Sequence, residues 1–184
     1  MDDRRIETGM IGDPESAAIV IADYQPVWPE NFQVHAAIIA AALGRAALRI
    51  EHIGSTSVPG LAAKPIIDML VVVKDSADET SYLPMLEATG YSLRVREPDF
   101  HEHRMFRTRA RDVHVHVLSD GCPEIERYLI FRERLRNSPS DRQLYEETKR
   151  RLAGRSWPSM DAYAQAKTAI VEHIIAAARS TARP

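Results

Sequence analysis

The chain has 184 residues, of which 45% are hydrophobic and 27% are charged, a composition ordinary for one globular domain with a substantial core. Its formal net charge of −2 gives no overall attraction to nucleic acid or to a membrane surface. Cys122 is the single cysteine, which excludes an internal disulfide and a cysteine-based zinc site.

Helix and strand signals alternate over the first part of the chain. Residues 1–17 are polar and irregular, and the apolar run 18–22 is typical of a short strand. The alanine-rich segment 29–43 predicts a helix that ends near Gly44. The apolar run 48–53 predicts the first central strand of a sheet.

A hydroxyl-rich turn follows that strand. It reads Gly54-Ser55-Thr56-Ser57, and glycine permits the sharp bend that such a turn needs. Unpaired N–H groups and hydroxyls at the start of a helical turn favour a bound phosphate. The spacing to Gly60, with Leu61 after it, excludes a Walker A loop. The alternative to a phosphate turn is an ordinary strand-to-helix turn capped by serine.

The next predicted strand, 65–73, carries one acid among apolar residues. This acid is Asp68, and Lys64 stands just before the strand. A carboxylate in such surroundings is costly unless it has a partner. We therefore expect a metal ion, another cation or a hydrogen-bonding group beside Asp68.

The rest of the chain separates into strands and then helices. Residues 78–89 predict an amphipathic helix closed by Gly90. Three strands are predicted next, at 91–96, 104–109 and 112–118. From Pro123 onward three helices are predicted, at 123–137, 140–153 and 159–179. We expect an α/β fold, a mixed and mostly antiparallel sheet with flanking helices, in a single domain 1–184. Its α/β core is expected over 1–121, with a helical tail over 122–184 packed on it.

The last predicted strand alternates valines with His114 and His116, so both imidazoles point to the same face. Imidazole suits Zn, Ni, Fe or Mn better than Mg. If the strands are neighbours, Asp68 with His116 forms a metal site that His52 or Glu51 could join. The alternatives are a general base, a hydrogen-bonding group for a ligand phosphate, and a histidine pair on an exposed sheet face. His101 and His103 have the same spacing but are interpreted as surface-loop residues.

These motifs together resemble a known family. Gly54-Ser55 followed by an acid on the next strand is similar to the signature of polymerase-β-type nucleotidyltransferases. The run 51–60 with 64–68 more narrowly resembles the GrpB (UPF0157) family. Further matches lie at Trp28-Pro29, His103-Arg104-Met105-Phe106, Val113-His114-Val115-His116-Val117, the run 131–136, Tyr145 and Lys149.

The resemblance implies a nucleotidyltransferase-like fold and a site that joins nucleotide phosphates to a divalent metal. In that superfamily a Gly-Ser turn holds the phosphates, three acids hold metal, and a hydroxyl attacks the α-phosphate. Carried over, Gly54 and Ser55 form the phosphate turn and Asp68 is the first metal acid. Leu70 stands at the second acid position, and the strand expected to bring the third acid carries His114 and His116. One carboxylate holds Mg²⁺ poorly, which argues against the standard two-metal reaction.

The leading hypothesis is a nucleotide-dependent transferase that acts on a small molecule, with a nucleoside triphosphate as substrate. Asp68 and His116 are the expected catalytic residues, and Asp68, His114 and His116 the expected ligands of a divalent metal, Mg or a transition metal. The expected phosphate-binding residues are Gly54, Ser55, Ser57, Lys64, Arg132 and Lys149, because ammonium and guanidinium groups suit phosphate oxygens. The alternatives are a catalytically degenerate module that binds a nucleotide or phosphate ligand, and an Asp/His transition-metal enzyme of different chemistry.

The sequence also restricts the partners. No apolar run approaches the roughly 18 residues that a membrane span requires. The polar residues 1–5 lead into no apolar signal segment, so we expect a cytoplasmic protein without a membrane partner. No basic stripe with interleaved aromatic residues is present, which argues against nucleic-acid binding.

Overall fold

The structure is a computed structural model that describes residues 9–11 and 19–181. Over these residues it contains one five-stranded sheet and six α-helices, beside shorter 3₁₀ turns. The strands are β1 (Arg49–Ile53), β2 (Ile67–Val73), β3 (Tyr91–Glu97), β4 (His103–Thr108) and β5 (Val113–Ser119). The helices are α1 (Val27–Leu43), α2 (Leu83–Ala88), α3 (Pro123–Asn137), α4 (Pro139–Ala153), α5 (Met160–Ala166) and α6 (Thr168–Thr181).

The strand order of the sheet is β1-β2-β5-β4-β3. The central pair β2–β5 is parallel, and the other three pairs are antiparallel. The predicted α/β fold, a mixed and mostly antiparallel sheet with flanking helices and a helical C-terminal segment, is therefore confirmed. The central parallel pair matters most for the site, because it places the acid of β2 beside the histidines of β5.

The two faces of the sheet bury different cores, as the alternation along β5 predicts. On one face, Met69 and Val115 belong to an apolar cluster that also includes residues of α1 and α2. On the other face, Leu70 and Leu118 lie under Ile125 of α3. Asp68, His114 and His116 point to this second face, the one that the helical tail covers.

The helical tail also covers the loop that follows β1. Val58 and Leu61 of this loop pack with Leu135 of α3, Tyr145 of α4 and Ile174 of α6 in a third buried cluster. These contacts hold the helices over the same end of the sheet as the Gly54 turn. The division of the chain at residues 121 and 122 stays a prediction.

Several predicted elements need correction. Residues 1–8 and 12–18 lie outside the described residues, and Ala22 forms only an isolated bridge to Ala63 in place of a strand. The helix predicted at 78–89 is a 3₁₀ turn followed by the short α2, because Pro84 starts a new helix near its first position. The helix predicted at 159–179 is interrupted at Lys167.

No helix in the described ranges is long and apolar enough to span a membrane.

Candidate functional site

The Gly54 turn directly faces Asp68. After β1 the chain turns at Gly54 and enters a 3₁₀ turn over Ser55–Ser57. Gly54 has φ +69°, and a Cβ at this position would collide with the carboxylate of Asp68. Ile53 pairs with Asp68 across the β1–β2 ladder, so the acid lies beside the turn. The structure thus brings together the turn and the acid that sequence analysis selected.

Both histidines of β5 lie next to the same carboxylate. In the β2–β5 pair, Asp68 is opposite His114 and Leu70 is opposite His116. His114 Nδ1 lies 3.5 Å and His116 Nε2 lies 3.8 Å from Asp68 Oδ1. Asp68, His114 and His116 are half-buried, and one potential metal-ligand atom from each lies within 4.8 Å of those of the other two. These separations are compatible with metal–ligand bonds of about 2.0–2.2 Å to one ion.

The protonation states in this cluster suit a metal site. Burial by itself would raise the pKa of Asp68, but the adjacent His114 and His116 hold the pKa of this carboxyl well below its usual range. Burial lowers the pKa of His116, and the negative charge of Asp68 opposes this effect only in part. At neutral pH the cluster therefore offers an ionised carboxylate and a neutral His116, the forms in which these groups bind metals.

The cluster lines a cavity of about 510 Å³ between the sheet and the helical tail. Several cationic side chains line the same cavity, namely Lys64, Arg127, Lys149 and Lys167. The guanidinium of Arg127 is already paired with Glu124 and Glu172, at 3.0 and 2.8 Å. Ammonium groups suit anionic ligands, so Lys64, Lys149 and Lys167 favour an anion in the part of the cavity beside Asp68, His114 and His116.

Lys149, one of the predicted phosphate-binding residues, lies directly behind the turn. It is only 2% exposed, and its Nζ donates a hydrogen bond to Ser55 Oγ at 3.0 Å and another to the Ala62 carbonyl. Burial lowers the pKa of Lys149 to about 7. Lys149 therefore holds the Ser55 hydroxyl in place and carries only part of a full positive charge near pH 7.

Lys167 is a cavity residue that sequence analysis missed. It lies at the junction of α5 and α6, and its Nζ is 4.6 Å from the centre of the Tyr163 ring. Burial lowers the pKa of Lys167; the charge of Asp68 opposes this shift, and that of Lys64 adds to it. The segment 159–179 contains neither glycine nor proline, so no local signal marked the bend that turns Lys167 towards the cavity.

Two predicted phosphate-binding residues are engaged elsewhere. The hydroxyl of Ser57 donates to the Gly54 carbonyl at 2.6 Å, which stabilises the turn from within. Arg132 donates to the Glu51 carboxylate at 2.7 Å and to the His52 carbonyl at 2.8 Å, which ties α3 to β1. Neither side chain lines the cavity.

The residues considered as extra metal ligands also lie apart from the cluster. Glu51 is held by Arg132, and the His52 ring stacks on Phe32 of α1, with ring centres 4.7 Å apart. His52 therefore points to the face of the sheet opposite Asp68. Burial lowers the pKa of His52 to about 4, consistent with a neutral core histidine.

A two-metal magnesium site of the superfamily type does not fit these residues. The second acid position is occupied by Leu70, which is fully buried with Ile53 and Leu118 beneath Ile125. One carboxylate and two imidazoles are a poor set of donors for Mg²⁺ but a good one for transition metals.

His103 is the main correction within the site. Its interpretation as a surface-loop residue is wrong, because it lies on β4 and is only 6% exposed. Its Nε2 is 2.9 Å from His116 Nδ1, and its Nδ1 is 2.7 Å from a carboxylate oxygen of Glu97. The β3–β4 register pairs Glu97 with His103, and the β4–β5 register brings His103 close to His116. The sequence reveals neither register.

Comparisons with known proteins place the chain among close relatives. A family model described as "GrpB protein" matches residues 18–177. A UPF0157 protein of Halalkalibacterium halodurans is 49% identical over 181 residues, which is 97% of this chain and 93% of that protein. A UPF0157 protein of Streptomyces coelicolor is 49% identical over 162 residues, or 88% of this chain and 85% of that protein.

A solved structure shares the fold. The crystal structure of the conserved protein GrpB from Enterococcus faecalis matches with a TM-score of 0.76 at 35% identity. The match covers 88% of this chain and 98% of that one. The fold described above is thus shared with this relative.

Proposed function

The chain belongs to the GrpB family, and from this premise we propose that it is a metal-dependent, nucleotidyltransferase-like enzyme that binds a nucleoside triphosphate and acts on a small molecule. One observation carries the proposal. The carboxylate of Asp68 touches the Gly54 turn and lies within 3.8 Å of His114 and His116, in a cavity that three lysines also line.

The turn and the lysines would bind the polyphosphate. The 3₁₀ turn at Ser55 presents backbone N–H groups and a hydroxyl, which are suited to phosphate oxygens. Lys64 and Lys167 line the cavity near Asp68, where they can compensate the charge of a leaving pyrophosphate. Lys149 holds the Ser55 hydroxyl and would regain a full positive charge when an anion binds nearby.

Asp68, His114 and His116 would hold the metal. Their mixed oxygen and nitrogen donors favour Zn, Mn, Fe or Ni over Mg. A metal at this position would act as a Lewis acid towards a phosphoryl oxygen. The acceptor hydroxyl would attack the α-phosphorus and give its proton to solvent water, while the bond from the α-phosphorus to pyrophosphate breaks and pyrophosphate leaves towards the lysines. The cavity, of about 510 Å³, has room for a ligand of nucleotide size.

A second candidate function is a binding module without turnover. The observation that favours it is Leu70, which buries an apolar side chain where the superfamily reaction needs a carboxylate. Such a module would bind a nucleotide or another phosphorylated ligand through the same turn and lysines. Titration with a nucleoside triphosphate would detect binding by either candidate, but only the transferase would release pyrophosphate.

The test measures triphosphate binding and pyrophosphate release with Mg²⁺, Mn²⁺ or Zn²⁺ in turn. Lys167→Gln removes a cavity cation, and we expect triphosphate affinity to fall at least about tenfold because a charge-assisted contact contributes about 1.5–3 kcal/mol. The matched control is Lys74→Gln, which removes an exposed lysine just beyond the far end of β2. Equal affinity in both variants would contradict a phosphate site in this cavity. Binding without pyrophosphate release would favour the binding module.

A further inference from the structure

A row of buried and half-buried hydrogen-bonding groups leads from the edge of the sheet to the cluster of Asp68, His114 and His116. Glu97 ends β3 and pairs with His103 at the start of β4. His103 lies on the same face as Met105, which is opposite His116 on β5. The Glu97 carboxylate is 2.7 Å from His103 Nδ1, and His103 Nε2 is 2.9 Å from His116 Nδ1. The row therefore runs from Glu97 through His103 to His116 and ends at Asp68.

The donors and acceptors in this row determine one another. A carboxylate accepts hydrogen bonds, so the contact with Glu97 is satisfied when His103 Nδ1–H donates to it. His103 Nε2 can then accept a hydrogen bond from His116 Nδ1–H. A His116 that donates through Nδ1 has its other nitrogen, Nε2, available to bind a metal ion. This is the nitrogen that faces Asp68.

The ring geometry agrees with this arrangement. The planes of His103 and His116 differ by only 19°, and the ring centres are 5.2 Å apart. A nitrogen–nitrogen distance of 2.9 Å is shorter than the contact between stacked rings, so the rings meet edge to edge with the hydrogen bond nearly in their planes. At the other end, the 3.8 Å between His116 Nε2 and Asp68 Oδ1 is too long for a hydrogen bond. Two lone-pair donors at this distance leave space for a cation between them.

We propose that Glu97 and His103 are positioning residues that bind His116 through its Nδ1 and so direct its Nε2 at a transition-metal ion held together with Asp68 and His114. This inference rests on the proposed metal-dependent function. Neither residue touches the metal. Their role is to keep one lone pair directed at the position between Asp68 and His114, as partners of metal-bound histidines do in other proteins.

The test reads the tautomers directly. Nitrogen-15 NMR of the histidine rings distinguishes protonated, unprotonated and metal-bound nitrogens in the zinc-loaded protein. We expect His116 protonated on Nδ1 and bound to zinc through Nε2. In Glu97→Gln the new amide donates as well as accepts, so the orientation of the His116 ring should be less firmly fixed. We expect zinc affinity, measured by competition with a chelator, to fall about 10–100-fold.

Glu124→Gln is the matched control. It removes a carboxylate that lines the same cavity but pairs with Arg127. This variant should keep both the His116 tautomer and the zinc affinity of the original chain. The backbone amide spectrum of each variant shows that it is folded.

A His116 that binds zinc through Nδ1 in the unmodified protein would overturn the proposal. So would a Glu97→Gln variant that matches Glu124→Gln in both measurements. An unmodified protein that binds no zinc, or an Asp68→Asn variant that binds zinc as tightly as the original chain, would instead overturn the proposed function. The first two results are obtained only from a protein that binds zinc at the site, so the two failures are distinguishable.

Discussion

At the scale of single residues, Gly54 and Asp68 define the site. The positive φ of Gly54 and the position of the Asp68 carboxylate both require a residue without a Cβ. The fold itself therefore places the Gly54 turn in contact with the Asp68 carboxylate. The N–H groups that we propose for phosphate and the carboxylate that we propose for a metal are thus adjacent in the fold without a ligand.

Replacing Gly54 tests this contact. Gly54→Ala and Gly60→Ala both place alanine at a positive φ, +69° and +76° respectively, but only the first creates a collision with Asp68. We expect each to lower the free energy of unfolding by at least about 1 kcal/mol, because alanine is strained in this conformation. Only Gly54→Ala should also lose zinc binding, because Asp68 must move. Urea unfolding and zinc titration measure the two effects, and equal zinc affinity in both variants would contradict the account.

Local patterns predicted the residues that lie close together on the central strands. Gly54, Ser55 and Asp68 were recognised from a turn and an isolated acid, and His114 and His116 from strand alternation. Contacts that depend on register or on helix packing left no such pattern. His103 meets His116 only through the β4–β5 register, and Arg132 is directed to β1 by the packing of α3.

At the scale of elements, helix α3 determines which side chains can lie on the second face of the sheet. It covers the second face of β2 and packs Ile125 against the cluster that contains Leu70. A carboxylate at position 70 would replace these apolar contacts at a fully buried position. The departure at this position from the motif that the sequence resembles is therefore linked to the helix above it.

Substitutions at Leu70 measure this link. Leu70→Asp should lower the free energy of unfolding by roughly 3 kcal/mol or more, since it buries a charge and removes apolar contacts. Leu70→Met keeps the volume and should cost less than about 1.5 kcal/mol. Chemical denaturation of both variants checks the difference. A Leu70→Asp protein as stable as the Leu70→Met protein would mean that α3 does not exclude water from this position.

Strong periodicity made most elements predictable, and weak local signals caused the errors. The strand β5 and the helix α3 follow clear patterns, and α3 occupies the predicted 123–137. The bend at Lys167 arises within a continuous helix-like sequence, where packing of α5 and α6 outweighs helix propensity.

At the scale of the whole molecule, the cavity is assembled from distant parts of the chain. The sheet supplies Asp68, His114 and His116, and the helical tail supplies Lys149 and Lys167. Lys149 bonds to Ser55, which lies 94 positions earlier in the chain. The site therefore exists only when the tail is packed on the sheet.

Anomalous X-ray diffraction from crystals grown with Zn²⁺ tests the central claim most directly. Data collected at the zinc absorption edge locate the metal without assumptions about the reaction. The account predicts one strong peak bonded to Asp68, His114 and His116, beside the Gly54 turn. Zinc peaks only at other positions in the crystal, with none between these three residues, would contradict it.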